Sequence, residues 1–284
     1  MREGNLGDIS SAGGLHDYLV ELHEEFGDIV SFWWGKELVI SLGSPDLLKE
    51  TAHMFNRPPQ LFAFLEDLVG KKSIQYANGK DGRMRREQYD KCFSHAACIS
   101  YFPIIKKVSD DLVEQLQNVP VGDHVPVHKY MTAFAIKNVL KCCFGGISDE
   151  DIVHIALEYD VAMNEMQRKL SGQLLPDEDP REHRYRKSLK VLHGSVKRIV
   201  DHWRKERGGA RNGEDSSHLF LDTIIDFVEG KAELSEQEKL DIIYSDTMSY
   251  LVGGFHTTGN YTLYDFGTPK YHVEEEAAYV IGDH

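Results

Sequence analysis

The chain has 284 residues, 41% of them apolar and 27% charged, the composition of a globular protein with room for one sizeable core or two small ones. Its net charge of −14 excludes a general nucleic-acid binder, because neutralising phosphates needs a basic surface. No run reaches the roughly 18 uncharged apolar residues of a membrane-crossing helix, and the opening MREGNLGDISSAGG lacks the apolar segment of a secretory signal. The four cysteines, Cys92, Cys98, Cys142 and Cys143, form a poor disulfide framework and suit a reducing, cytoplasmic setting. They also lack CxxC spacing, so no metal site is read from them.

Leu15, Leu19, Leu22 and Phe26 recur at helical spacing. DIVSFWWGKELVISLGSP then predicts a hairpin about Gly35-Lys36, expected to pack as a sheet edge on the helical body. Ser44-Pro45 opens a short helix, which FNRPPQ breaks. From about residue 83 the pattern is helical. Ile104, Ile105, Val108, Leu112 and Leu116 share one face, and YMTAFAIKNVLKCCFGG reads as a buried helix ending at Gly145. A helix at 149–170, the polar loop SGQLLPDEDP, a basic helix at 181–207, the link GGARNGED and the helix HLFLDTIIDFVEG follow. Ser235 and Glu238 have capping-box spacing. They open a last stripe through Leu240, Ile243, Tyr244, Met248, Leu251, Val252 and Phe255. At about 1.5 Å per residue, a helix over 235–263 is roughly 42 Å long. After about Tyr264 no period is visible.

Within that helix lies LVGGFHTTGN, residues 251–260. Glycine costs about 1 kcal/mol and threonine about 0.6 in a helix, so 253–259 is roughly 4 kcal/mol worse than polyalanine. The weakness has two readings. Gly259-Asn260 could end the helix. Alternatively the helix is weakened so that its backbone opens toward a ligand, with glycines admitting a flat cofactor and a threonine hydroxyl holding a proton or a water.

GGFHTTGN after SYLV, with FLDTIIDF and LSEQEKLDIIYSDTMS upstream, resembles the central helix of the cytochrome P450 monooxygenases, whose pattern is Ala/Gly-Gly-x-Asp/Glu-Thr-Thr/Ser. Gly253, Gly254, Thr257 and Thr258 match it, and His256 stands where the family has an acid. The hairpin resembles the family's first sheet, FNRPP its Arg-Pro step, and NGKDGRMRREQYDKCFS its Trp-x-x-x-Arg helix. Arg86 falls on the arginine that pairs with a haem propionate, and Gly82 on the tryptophan. Over roughly residues 15–263 the order resembles the animal group known as family twenty.

The resemblance implies a mainly α fold with a small β-sheet, the front part of the cytochrome P450 fold through the central helix. It implies haem as cofactor, with Arg86, Gly253 and Gly254 binding it, Thr257 delivering protons and His256 as an acid–base group or substitute ligand. A complete enzyme would insert one oxygen atom from O2 into a small apolar organic substrate, draw electrons from a reductase and sit at the endoplasmic reticulum membrane. The cluster Arg83, Arg85, Arg86 and Lys91 would face the electron donor.

The family's thiolate cysteine lies downstream of the central helix, in Phe-x-x-Gly-x-Arg-x-Cys-x-Gly, whereas no cysteine follows Cys143 here. EMQR (165–168) and EDPR (178–181) have the spacing of the family's Glu-x-x-Arg element. They precede the central helix, however, and read as chance matches on exposed faces. Residues 1–263 are therefore read as the N-terminal part of a cytochrome P450-like domain, and 264–284 as an unrelated tail. The expected form is catalytically inactive, the alternative being a non-catalytic helical binding protein. Residues 181–211 carry eleven Lys/Arg against three acids and read first as a solvated face, then as a membrane-surface contact.

Overall fold

The computed structural model describes residues 4–54, 56–145, 148–170, 175–209 and 219–267. The short helix α1 (Leu6–Ser11), unannounced by any periodicity, precedes α2 (Leu15–Phe26). Strands β1 (Ile29–Trp34) and β2 (Glu37–Leu42) pair antiparallel with Ile29 opposite Leu42 and Trp34 opposite Glu37. Gly35 turns the hairpin at a φ of 61°, a conformation open to glycine at no steric cost. Asn5 closes the outer edge of β1: its N–H donates to Trp33 O at 2.7 Å and its Oδ1 accepts from Trp33 N–H at 2.8 Å.

The hairpin does not lean on the main helical core as expected. Phe32 instead packs with Ile9 of α1 and Tyr18 of α2 in a second, smaller core. Alternation explains this. Val30 and Phe32 point inward, while Ile29, Trp33, Leu38, Ile40 and Leu42 line the opposite, exposed face.

Ser44 caps α3 (Pro45–Glu50), its hydroxyl accepting from Leu47 N–H. A 3₁₀ segment (Pro59–Leu65) leads into α4 (Glu66–Val69). Then come α5 (Gly79–Tyr89), a second 3₁₀ turn (Asp90–Phe93), α6 (His95–Gln117), α7 (Val127–Cys143), α8 (Asp149–Leu170), α9 (Pro180–Gly209), α10 (Phe220–Glu229) and α11 (Glu236–Gly267). The large core lies among α4, α5 and α7 to α11, with Tyr89, Ile136, Leu140, Ile155, Met166, Tyr185, Phe220 and Phe255 fully buried. The capping box forms: Ser235 N–H donates to Glu238 Oε2 at 3.0 Å and Glu238 N–H to Ser235 Oγ at 3.3 Å. Asp222 ties α10 to α9 by accepting from the Trp203 indole N–H at 2.7 Å while also accepting from Leu219 N–H. Asp222→Ala strands both donors, and a loss of about 2–3 kcal/mol is expected in urea unfolding; a loss below about 0.5 kcal/mol would mean that neither bond matters.

The helix does not stop at Gly259-Asn260, because α11 runs on to Gly267. Gly254 serves packing: a Cβ there would lie 2.3 Å from Val139 Cγ2 of α7, whereas one on Gly259 would make ordinary contact, 3.5 Å from the backbone of Thr132. Bare backbone thus lets α7 and α11 close on one another. Residues 268–284, most of the proposed tail, lie outside the described residues.

Two other expectations are corrected. EMQR is not on an exposed face. Glu165 and Arg168 are 7% and 8% exposed, and Arg181 of EDPR reaches back to Glu165 at 3.0 Å, so the two motifs meet in one ion network. The arginines of α9 are not simply solvated either. Arg184 pairs with Glu158, Arg198 with Asp151 and Arg204 with Glu229, fastening α9 to α8 and α10.

Candidate haem-facing site

The site grows from one face of α11, where Asp246, Tyr250, Gly253 and Thr257 recur at intervals of three or four residues. Asp246 is fully buried and lies across α5. Tyr89 OH donates to its Oδ2 at 2.8 Å, Ile74 N–H to its Oδ1 at 2.6 Å, and Arg85 stands 3.4 Å away. Arg85 and Tyr89 are one helical turn apart, which presents both to the same carboxylate. Burial pushes the Asp246 carboxyl up to about 6, with Arg85 and Tyr89 pulling the other way. Ser73 and Ser249 share a hydrogen bond of 2.5 Å. These contacts lay the segment 71–78 over α5 and α11.

Arg85 is 5% exposed and also pairs with Asp81, so it is not available to a docking partner. The basic cluster of α5 is therefore not one surface. Arg83 is exposed, whereas half-buried Arg86 turns under the same segment, its Nη2 donating to Ile74 O at 3.2 Å and Ala77 O at 3.1 Å. Gly82, one turn earlier, is buried beneath Ala77; a Cβ there would lie 2.0 Å from Ala77 O. The backbone of the segment thus stands where a larger side chain would begin.

Arg57 joins this group from far back in the chain. Its N–H donates to Asn78 Oδ1 at 2.9 Å, its carbonyl accepts from Asn78 Nδ2 at 2.8 Å, and its Nη1 donates to Gln75 Oε1 at 2.7 Å. Burial, and then the charge of Arg57, lower the pKa of Arg86. Neither guanidinium has a carboxylate within 4.0 Å among the described residues. Both lie near enough to favour ionisation of the Tyr250 phenol, although burial holds its pKa high. Two guanidiniums without a close ion pair therefore lie near Tyr250, one turn before Gly253, with Asp90 the opposing charge felt by Arg86.

Gly253 is exposed, with nothing within 4 Å of the place its Cβ would take. Thr257 is exposed on the next turn and donates to Gly253 O at 2.8 Å, as Thr258 does to Gly254 O, local bonds typical of threonine within helices. Gly254 faces α7. His256 packs on α8, its ring 5.5 Å from that of Tyr159. Burial lowers its pKa, opposed by nearby Asp160 and aided by His128.

Sequence reasoning passed over Asp246 and Tyr89, and gave Arg57 no role beyond the Arg-Pro step of FNRPP. Asp246 left a trace, as a carboxylate placed between Ile242-Ile243 and Met248.

A mostly helical body, a two-stranded hairpin and a long glycine-interrupted helix facing an arginine-bearing one define the class. The sequence model of the family described as Cytochrome P450 matches residues 2–264, and the chain belongs to that family. It is similar to cytochrome P450 20A1 of Rattus norvegicus, 30% identical over 242 residues, covering 84% of this chain and 49% of the relative. Cytochrome P450 20A1 of Homo sapiens is 29% identical over 246 residues, with the same two coverages. Probable cytochrome P450 4s3 of Drosophila melanogaster is 23% identical over 276 residues, covering 87% and 54%. The chain spans about half the length of the first of these relatives. No helix among the described residues is long and apolar enough to cross a membrane.

The family's cofactor is haem, and the residues present fit part of it. Arg57 and Arg86 suit its carboxylates, and open Gly253 suits a flat face. The iron ligand is not matched. Burial pushes the Cys142 and Cys143 thiols up to about 11 and 12, and Cys92 is engaged with Thr223 at 3.0 Å. All four cysteines lie near Tyr101, in the region of α6 and α7.

Proposed function

We propose that this chain carries the distal half of a haem monooxygenase site and, by itself, is catalytically inactive. The observation that carries the reading is the pair of guanidiniums, Arg57 and Arg86, with no carboxylate within 4.0 Å among the described residues, near Tyr250 and open Gly253. They would hold the haem carboxylates by charge-assisted bonds. Gly253 would leave the approach clear, while Gly254 keeps α7 close. Thr257 would hold a proton or a water on that face, with His256 as the acid–base candidate behind it. When bound, haem supplies the activation of O2 and the transfer of one oxygen to a small apolar substrate, with electrons from a reductase. Residues 1–263 would form the P450-like part and 264–284 a separate tail. A complete protein would work at the endoplasmic reticulum membrane.

Haem titration followed by reduction and carbon monoxide binding tests this. The expected result is uptake without a thiolate-type band, with Arg57→Ala plus Arg86→Ala weakening uptake at least about tenfold, the worth of one charge-assisted bond or more. A thiolate-type band lost on mutating one of the four cysteines would overturn the inactive reading. Absence of uptake would leave a non-catalytic helical binding protein, and a histidine-type band lost in His256→Ala would make His256 a ligand.

A further inference from the structure

The larger described cavity, about 790 Å³, lies away from this site, between α6, the end of α7, the start of α8 and α9. Its volume falls within the roughly 300–1,000 Å³ of small-molecule sites. Lys107 enters from α6, Lys141 from the last turn of α7, and Arg198 and His202 from successive turns of α9. Pro103 and Ile104 supply an apolar wall.

The lining is out of keeping with a chain of net charge −14. Three permanent cations face one carboxylate among the described lining residues, and that carboxylate is already engaged. Asp151 accepts from Arg198 Nη2 at 2.8 Å and from Ser148 Oγ at 2.8 Å. Lys107 and Lys141 have no ion-pair partner within 4.0 Å among the described residues, although Lys106 beside them is bound to Asp110 at 2.6 Å. Lys141 also complements the negative end of α7.

We propose that this cleft binds a small organic phosphate, its anionic head between Lys107, Lys141 and Arg198 and its apolar body against Pro103 and Ile104. Two ammonium groups match a dianion in charge. The apolar wall favours an ester over free phosphate. The site is independent of the haem face.

Calorimetric titration of the full chain with phenyl phosphate at low ionic strength tests this. Saturable binding is expected, with inorganic phosphate several-fold weaker. Lys107→Glu combined with Lys141→Glu should lower phenyl phosphate affinity at least about tenfold, since each reversal turns an attraction into a repulsion. Lys107→Gln alone should lower it about threefold. Lys197→Glu, on α9 but outside the cleft, should leave it within about twofold. No saturable binding, no effect of Lys107→Gln, or an equal loss in Lys197→Glu would each overturn the proposal.

Discussion

Asp246→Ala is expected to cost about 3–5 kcal/mol of stability, the range for breaking a buried ion pair from one side. The variant leaves the Tyr89 hydroxyl and the Ile74 N–H without their acceptor and removes the carboxylate facing 5%-exposed Arg85. Asp246→Asn keeps an acceptor in place and should cost well under half as much. The two variants also separate charge from hydrogen bonding through pH. Asp246 titrates near 3.8 when unfolded and at about 6 when folded, so between these values the folded state binds more protons. Its contribution is therefore fully present below about pH 4 and is lost as pH rises through 6, a change of about 3 kcal/mol. Other carboxylates are common to both proteins and cancel in the difference. Relative to the parent chain, Asp246→Asn should thus gain about 3 kcal/mol between pH 4 and pH 7 in urea unfolding. A difference independent of pH would show that the carboxyl is not desolvated as described.

Gly82→Ala sets local preference against packing. Within a helix, alanine is favoured over glycine by about 1 kcal/mol, so α5 taken alone predicts a more stable protein. The structure predicts the opposite. The new Cβ would lie 2.0 Å from Ala77 O and 2.6 Å from Ala77 C, and a backbone carbonyl cannot rotate out of the way as a side chain can. A loss of about 2–3 kcal/mol is expected. The same shift should weaken haem uptake, since Arg86 is held by the carbonyls of Ala77 and Ile74. A rise in the urea midpoint of Gly82→Ala would sink the close approach. By the same geometry, tryptophan at this position, as the family pattern has it, cannot be accommodated without moving the backbone at Ala77.

Helix α2, the hairpin about Gly35, α8, the cap at Ser235 and the long α11 were all legible in the sequence, because each is written in local periodicity and in the side chains at its ends. So was the family, through motifs set in order along most of the chain. α1 was not, since its six residues are too few to show a period. The fate of neighbouring charges was not legible either. Arg85 and Arg86 are adjacent cations about 100° apart on one helix, and nothing in RMRREQY says which meets a carboxylate. Only the packing of α5 on α11 turns Arg85 onto Asp246, 161 residues away, and Arg86 under the segment that Arg57 and Asn78 pin down. EMQR and EDPR likewise gained a partner only when α9 folded back along α8. Sequence determined which stretches became helices and where they began, because those free energies are settled within a turn or two of chain. Which acid answers which base was decided by tertiary structure, because electrostatics in a desolvated core depends on groups that the sequence holds far apart.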